Sequence, residues 1–530
     1  MKYLKKVFSL LLALLMLITL CSCSEEQVVF VYEVSLRPQN IDPLLASNDS
    51  ELTIVRNTFE GLTRYNADGE LELGCAKEYS VSDDKLTYTF ILHDNLVWSD
   101  GTKLTANDFE FAVQRAANPQ TKTVAGEAIK IIAGAESALL GKTSYKNVSF
   151  KAINKTTLVV KLKNACDTFL ESLSQPVFMP CNREFFNSCK GKYGLTQQHI
   201  LSNGCYQLTR WQDNASIRLT KSNTYKGNVL TKISLAFITF KSDEPKKNNS
   251  ISKTSDSDTD LTKIDYTQIE QAKEEGLKIL TYYNKTYALV FNKNDYIATS
   301  PDLLSAFTSS LDRGVLNDKP DYLITADNIL PPDSLVGSKT VGNISERPTY
   351  KYAYSKENSR AAFLRGVKKL SKQTLPKTVV LCPDNSDLHK ILTNIISCWQ
   401  NNLGAYLNIE KLSEEDLLQK VNSGDFTIAL VPLAADDSTV TSFLSQFTSN
   451  SSQNCIGLKN SAYDKFVDDS MNVKNSSAVS NIIEAEKILI NTKNVIPVVF
   501  YPTIYAISPD LKKVSVSPFD SSIDFSLIDK

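Results

Sequence analysis

The chain is poor in histidine, in net charge and in paired cysteines. His93, His199 and His389 are the only histidines among 530 residues, and no two lie within five positions of each other. An H-E-x-x-H zinc site therefore has no residues to be built from. Lys and Arg number 58 against 59 Asp and Glu, a net charge of −1, so the strong positive charge typical of a nucleic-acid binder is missing. No C-x-x-C occurs among the ten cysteines, which removes zinc knuckles and thioredoxin-type sites. G-x-S-x-G is absent as well. Gly141-Lys142-Thr143 looks like the end of a phosphate loop, but the glycine due five positions earlier is Glu136. Asp83-Asp84 and Glu414-Glu415 fall at turns or helix starts, where carboxylates complement the helix dipole, and not as acid/base pairs. Nothing in the sequence points to catalysis, and neither metal nor cofactor is expected.

Hydrophobic residues make up 42% of the chain, enough for large cores and too much for a disordered chain. Lys2, Lys5 and Lys6 precede an apolar run from Val7 to Leu20 that only Ser9 and Thr19 interrupt. A spanning helix needs ~20 apolar residues, so a basic start and so short a run predict a secretory signal over 1–22. The run ends in Leu20-Cys21-Ser22-Cys23, and the small Ser22 suits a cut before Cys23. That pattern resembles a bacterial lipobox, which implies a diacylglyceryl group on Cys23; Cys21, preceded by Leu20, is the poorer candidate. The expectation is a chain exported and held by lipid on the extracytoplasmic face of the cell membrane. Loss of the signal leaves 55 basic against 59 acidic side chains, a net charge of −4. The eight cysteines beyond Cys23 are expected to act as buried small hydrophobes.

Periodicity places the elements. Residues 28–34 read as a first strand, and Leu86, Tyr88, Phe90 and Leu92 alternate with polar residues as a half-buried one. Trp98-Ser-Asp-Gly101 is a turn, followed by a helix capped at Thr105 with Asp108 as capping-box partner. Gln207–Thr209 and Ile217–Thr220 predict a hairpin, and 241–260 a polar loop. From 376 onward strands alternate with helices: a strand at Thr378–Cys382, a helix capped at Ser386 and closed by Gly404, and strands at Tyr406–Glu410 and Phe426–Val431. Alternation of this kind predicts an α/β fold with a parallel sheet. Ligands of such sheets bind beyond the carboxyl ends of the strands, which singles out Asp436 and Asp437 after Val431. Either could instead cap the helix starting near Thr439, and for Asp437 capping is the preferred reading.

Several short motifs line up in order: Asn40-Ile-Asp-Pro43, Phe59-Glu-Gly-Leu62, Tyr88-Thr-Phe-Ile-Leu92, Trp98-Ser-Asp-Gly-Thr-Lys-Leu-Thr-Ala-Asn-Asp108, Asn203-Gly-Cys-Tyr206, Leu311-Asp-Arg313, Ala485-Glu-Lys-Ile-Leu489 and Ile496-Pro497. In them the chain resembles the extracellular solute-binding proteins of peptide-type ABC importers, the oligopeptide- and dipeptide-binding family. The resemblance implies two α/β lobes joined by two crossing strands, near Tyr287–Asn292 and Ile496–Tyr501, with an extra N-terminal domain. The implied division is 23–56 with 176–286 and 497–530 as one lobe, 57–175 as the extra domain and 287–496 as the other lobe. It implies a monomer that delivers peptide to ABC permease subunits and is not an enzyme. Asp436 would pair with a peptide's α-amino group and His389 would approach its carboxyl end, with Leu433, Ala434 and Arg37 as further ligand contacts. The arginines that help hold the ligand carboxylate in the oligopeptide branch fall at Val421 and Leu430 here, and Pro432 removes a backbone N–H. Another solute in the same fold (a sugar, haem or a metal complex) and a peptide-signal receptor stay open as alternatives. A lipid-anchored hydrolase is the more distant one.

Overall fold

The computed structural model describes residues 27–530 apart from 67–69, 124–125, 167–168, 213–215, 228–230, 242–249, 253–257, 337–338, 345, 351–353, 373, 436–438, 452, 471–477, 515 and 517–521. The predicted signal, Cys23, Asp436 and Asp437 lie outside these residues. Val28–Val34 forms β1 and Asp49–Thr58 forms α1. A four-stranded antiparallel sheet follows, built from β2 (Ala76–Val81), β3 (Thr87–Leu92), β4 (Phe150–Ala152) and β5 (Thr157–Lys161) in the order β2-β3-β5-β4. Helix α2 (Ala106–Ala116) packs beside it. The Asp108 carboxylate accepts the Thr105 N–H at 2.7 Å, the capping bond that the sequence predicts.

The larger sheet runs through the whole molecule. It contains β6 (Tyr206–Gln212), β7 (Ser216–Lys221), β8 (Ile233–Phe240), β9 (Leu261–Ile264), the long β10 (Lys278–Phe291), the short β11 (Ile324–Thr325), β12 (Thr378–Pro383), β13 (Leu407–Leu412), β14 (Ile428–Leu433) and the long β15 (Val495–Ile507). Their order is β13-β12-β14-β10-β15-β9-β1-β8-β7-β6, with β11 on the flank of β15. β6 and β7 form the expected hairpin, although the strand carries on through Trp211 and Gln212. Strands β1, β8 and β9 are mutually parallel, as are β12, β13 and β14, whereas β10 and β15 run antiparallel to each other.

After α3 (Ile269–Glu274), α4 (Pro301–Ser309) and α5 (Lys356–Lys369), helix α6 (Ser386–Leu403) shows how pattern becomes packing. Leu388, Ile391, Leu392, Ile395, Ile396, Trp399 and Leu403 are all buried on one face, as a 3.6-residue period requires. Gly404 ends the helix at φ 74°, a left-handed conformation that glycine adopts without steric cost. The N-cap is Asn385 and not Ser386, because the Asn385 side-chain Oδ1 accepts the N–H groups of Asp387 and Leu388, each at 3.0 Å.

Burial divides the molecule. Phe30, Phe59, Trp98, Phe109, Phe150, Tyr206 and Phe525 share one core, so the four-stranded sheet and the near half of the long sheet are continuous in packing. The far half has two cores, one around Phe307, Phe363 and Trp399 and the other around Leu417, Phe443 and Tyr463. Among the described residues, the two long strands β10 and β15 run between the halves, with bulges at Tyr283/Lys285 and Tyr287/Ala288. This neck comprises Thr281–Lys285 and Tyr501–Thr503, just outside the reach of β14 and β9. The sequence placed the first crossing at Tyr287–Asn292, but Tyr287–Phe291 pair with β14 inside the second lobe. Apolarity marks the buried part of a crossing strand, while the neck itself carries Thr281, Asn284, Lys285 and Thr503.

Among the described residues seven of the eight cysteines are buried and Cys455 is half-buried, and none is in a disulfide. Burial pushes the Cys181, Cys205 and Cys382 thiols up to about 12, as expected of small hydrophobes.

Candidate functional site

Strand direction defines the site. β10 enters the second lobe at Thr286 and pairs antiparallel with β14, so the carboxyl end of β14, Leu433, points back toward the neck. The parallel β12 and β13 end the same way. In the first lobe Ile264 pairs with Ile504 and Leu261 with Ile507, so β9 also ends at the neck, and β1 and β8 with it. Both lobes therefore turn the carboxyl ends of their parallel strands toward one cleft, where α/β sheets bind ligands.

Four of the residues predicted for the site are described, and Asp436 is not. His389 is half-buried in the first turn of α6, directly after β12. Leu433 is buried at the end of the adjacent β14, and the Ala434 carbonyl accepts a hydrogen bond from Gln446 Nε2 at 2.6 Å. Arg37 belongs to the first lobe, exposed just beyond β1, with its guanidinium carbon 5.8 Å from the Phe240 ring at the end of β8. His389, Leu433 and Ala434 thus belong to the second lobe and Arg37 to the first. Thr439 is the N-cap of α8 (Val440–Ser445), its hydroxyl accepting the Ser442 N–H at 3.2 Å; Asp437 lies outside the described residues.

Val421 and Leu430 do not face the cleft. Leu430 is wholly buried in mid-strand, and Val421 is buried in the last turn of α7 (Glu414–Ser423). A cation at either position would be a charge buried in an apolar core.

What the sequence reading missed is a set of tyrosines and lysines around the neck. Tyr287 and Tyr501 meet edge to face at 5.4 Å, and the Tyr501 hydroxyl accepts from Asn385 Nδ2 at 3.2 Å. Glu414, the first residue of α7, accepts from Tyr287 at 3.3 Å and pairs with Lys285 at 3.3 Å. Burial, then the Glu414 charge, pushes the Tyr287 phenol well up. On the first lobe Lys241 donates to the carbonyl of Lys263, whose own ammonium is held below the ordinary lysine range chiefly by burial. One signal was available: Tyr501 ends the apolar run from Val495. Among the described residues no cluster of His, Cys, Asp and Glu could hold a metal ion, and no helix is long and apolar enough to cross a membrane.

Comparison with known proteins agrees with this architecture. Residues 70–455 match the family described as bacterial extracellular solute-binding proteins, family 5 Middle. The oligopeptide-binding protein OppA of Bacillus subtilis is 28% identical over 490 residues, covering 91% of this chain and 89% of its own. Among solved structures, Listeria monocytogenes OppA bound to peptide superposes with a TM-score of 0.74 at 22% identity, covering 95% of this chain and 99% of its own. The pheromone receptor PrgZ gives 0.75 at 23%, with the same coverage. The two lobes, the two crossing strands and the matched span agree: this chain belongs to the bacterial extracellular solute-binding proteins, family 5.

Proposed function

We propose that the protein captures peptides between its lobes and delivers them to the permease of an ABC importer. The observation that carries this reading is the convergence of parallel-strand carboxyl ends from both lobes on one cleft spanned by two strands. The oligopeptide-binding name of the Bacillus relative and the peptide bound to the Listeria protein supply the ligand class. The division into lobes and extra domain follows the boundaries set out from the sequence, adjusted at the neck. A lipid on Cys23 holds the mature chain at the membrane as a monomer, and no chemistry is assigned to the cleft. Two acyl chains give stable anchoring, where one is marginal. The likeness to a pheromone receptor favours one second reading, in which the captured peptide is a signal.

Asp436 is the proposed amino anchor, between the carboxyl end of β14 and the Thr439 cap. A peptide α-amino group has a pKa of about 8 and is largely cationic at neutral pH. Closure around an ion pair excludes water, and breaking such a pair from one side costs about 3–5 kcal/mol when it is fully buried. Calorimetry of wild type and Asp436→Asn against a peptide and its N-acetylated form makes a double-mutant cycle. Strong coupling between Asp436 and the free amine is expected. A coupling near zero would sink the anchor, and failure of every peptide to bind would sink the capture reading.

A further inference from the structure

The neck by itself is a weak constraint on lobe orientation. Two strands cross it, and both bulges fall at or beside it. Its buried polar pair is Asn284 with Thr503, whose hydroxyl donates to the Asn284 side-chain oxygen at 3.1 Å. A bulge interrupts the ladder and lets the strand bend, so this segment yields before either core does.

Beside the neck the two lobes touch through two tyrosine rings. Tyr266 stands in the turn directly after β9, on the first lobe. Tyr322 precedes β11 and packs against the core of the second. Their ring centroids are 4.1 Å apart and the planes meet at 23°, a stacked pair. Each ring is held by its own lobe. The Asp265 N–H donates to the Gln268 side chain at 3.0 Å, closing the turn that carries Tyr266. The Tyr322 hydroxyl donates to Asp387 at the start of α6 at 2.5 Å, and the Tyr322 carbonyl accepts from the Tyr283 hydroxyl in the neck at 3.0 Å. The Tyr322 ring also meets Tyr501 edge to face at 5.9 Å.

We propose that Tyr266 and Tyr322 are positioning residues that latch the lobes together before any ligand arrives. The inference rests on the capture reading for its purpose but not for its test. An aromatic pair of this kind shifts the closed-to-open ratio by about two- to tenfold. Ligand affinity follows, because a latch present in both the empty and the loaded closed forms lowers the open population that competes with binding. Its removal weakens binding by at most that same factor. A stack that ligand had to displace would give the opposite sign.

Small-angle scattering of the full chain, stripped of bound solute by unfolding and refolding, tests the latch without a ligand. Tyr266→Ala should have a larger radius of gyration than wild type. Tyr266→Phe, which keeps the ring, should match wild type, and Tyr322→Phe, which keeps the ring but loses the hydroxyl that anchors it to Asp387, should fall between. Circular dichroism and thermal midpoints check that each variant is folded, and Tyr266 is exposed enough (41%) for replacement to leave the cores intact. Equal radii for wild type and Tyr266→Ala would overturn the proposal. So would an increase that Tyr266→Phe fails to prevent. A protein that bound no peptide would instead refute the capture reading and leave this measurement unaffected.

Discussion

Glu486 and Glu414 are both helix carboxylates of the second lobe paired with a cation, yet one is sealed inside and the other stands at the rim of the cleft. Glu486, on α9 (Ala478–Asn491), is 0% exposed and its partner Arg347 9%, whereas Glu414 is 46% exposed and Lys285 31%. Glu486 accepts from the N–H groups of Ile329 and Leu330, each at 3.0 Å, and from Arg347 at 2.6 and 3.2 Å. Arg347 in turn donates to the Leu330 carbonyl at 3.0 Å. This clamp fixes a chain segment to a helix. The Glu414 contacts with Lys285 and Tyr287 connect α7 to the first strand of the neck. Buried, fully bonded charge serves rigidity, and half-exposed charge serves adjustable contact.

The strongest way to break this contrast is at Glu486. Glu486→Ala leaves Arg347 buried without its counter-charge and two backbone N–H groups without an acceptor. The expected loss is roughly 3–5 kcal/mol, read as a lower denaturation midpoint in urea. Glu486→Gln, which keeps an acceptor oxygen, should lose less. A shift below about 1 kcal/mol for the alanine variant would mean that water reaches the site and that the clamp resembles the rim.

The same clamps explain what was legible in the sequence. Several of the motifs that revealed the family make structural contacts with distant stretches of chain, in two cases with another motif. Asp42, from Asn40-Ile-Asp-Pro43, takes the Arg115 guanidinium, which lies 4.0 Å above the Phe186 ring. Asn203, from Asn203-Gly-Cys-Tyr206, donates to the Glu60 carbonyl at 3.0 Å and accepts the Glu60 N–H at 3.2 Å. A side chain on Gly204 would come within 2.7 Å of the Phe59 nitrogen, so the motif needs glycine there. Arg313, from Leu311-Asp-Arg313, donates to the Pro497 carbonyl at 3.0 Å. These are pairs between distant stretches of chain, 73 residues apart for Arg115 and Asp42, and spacing alone does not show which residues pair. Local periodicity gave the elements, from β1 to α6, and strand alternation gave the sheet. The neck stayed hidden because it is polar, and the tyrosine contacts because each joins residues that no local pattern relates.

Between sealed and open lies Glu275, just after α3 (Ile269–Glu274). It accepts the N–H groups of Ile251 and Ser252 at 3.0 and 2.8 Å, and the side chains of Gln271 and Ser250 at 2.9 and 3.0 Å. Burial would push this carboxyl up, but those four donors outweigh it and hold it at about 2 against an ordinary 4.5. A carboxylate lowered on folding contributes stability that is fully present above its unfolded pKa and fades as pH falls toward the folded value. Residues 250–252 should therefore detach from α3 between about pH 4.5 and 2. Hydrogen exchange at the Ile251 and Ser252 amides is the readout, with protection lost over that window. Glu275→Gln should show weaker protection at neutral pH and no such window. An unchanged window in that variant would assign the effect to another group.

The smallest effect belongs to the rim pair. Lys285→Met and Glu414→Gln, alone and together, form a cycle whose coupling in stability should be about 1 kcal/mol or less. The coupling should shrink further as salt rises, since the groups are open to solvent on both sides. A second readout separates charge from packing. Lys263 is held low by burial first; among its neighbouring charges Lys285 pushes it lower, while Glu414 raises it. Removing Lys285 should therefore raise the Lys263 pKa, and removing Glu414 should lower it, both measurable by NMR titration of the labelled ε-carbon. The two shifts have opposite signs because the two residues carry opposite charge at the same cleft edge. If both substitutions moved Lys263 the same way, the change would come from altered burial of the neck, and Glu414 would belong with Glu486 as part of a closed structural clamp.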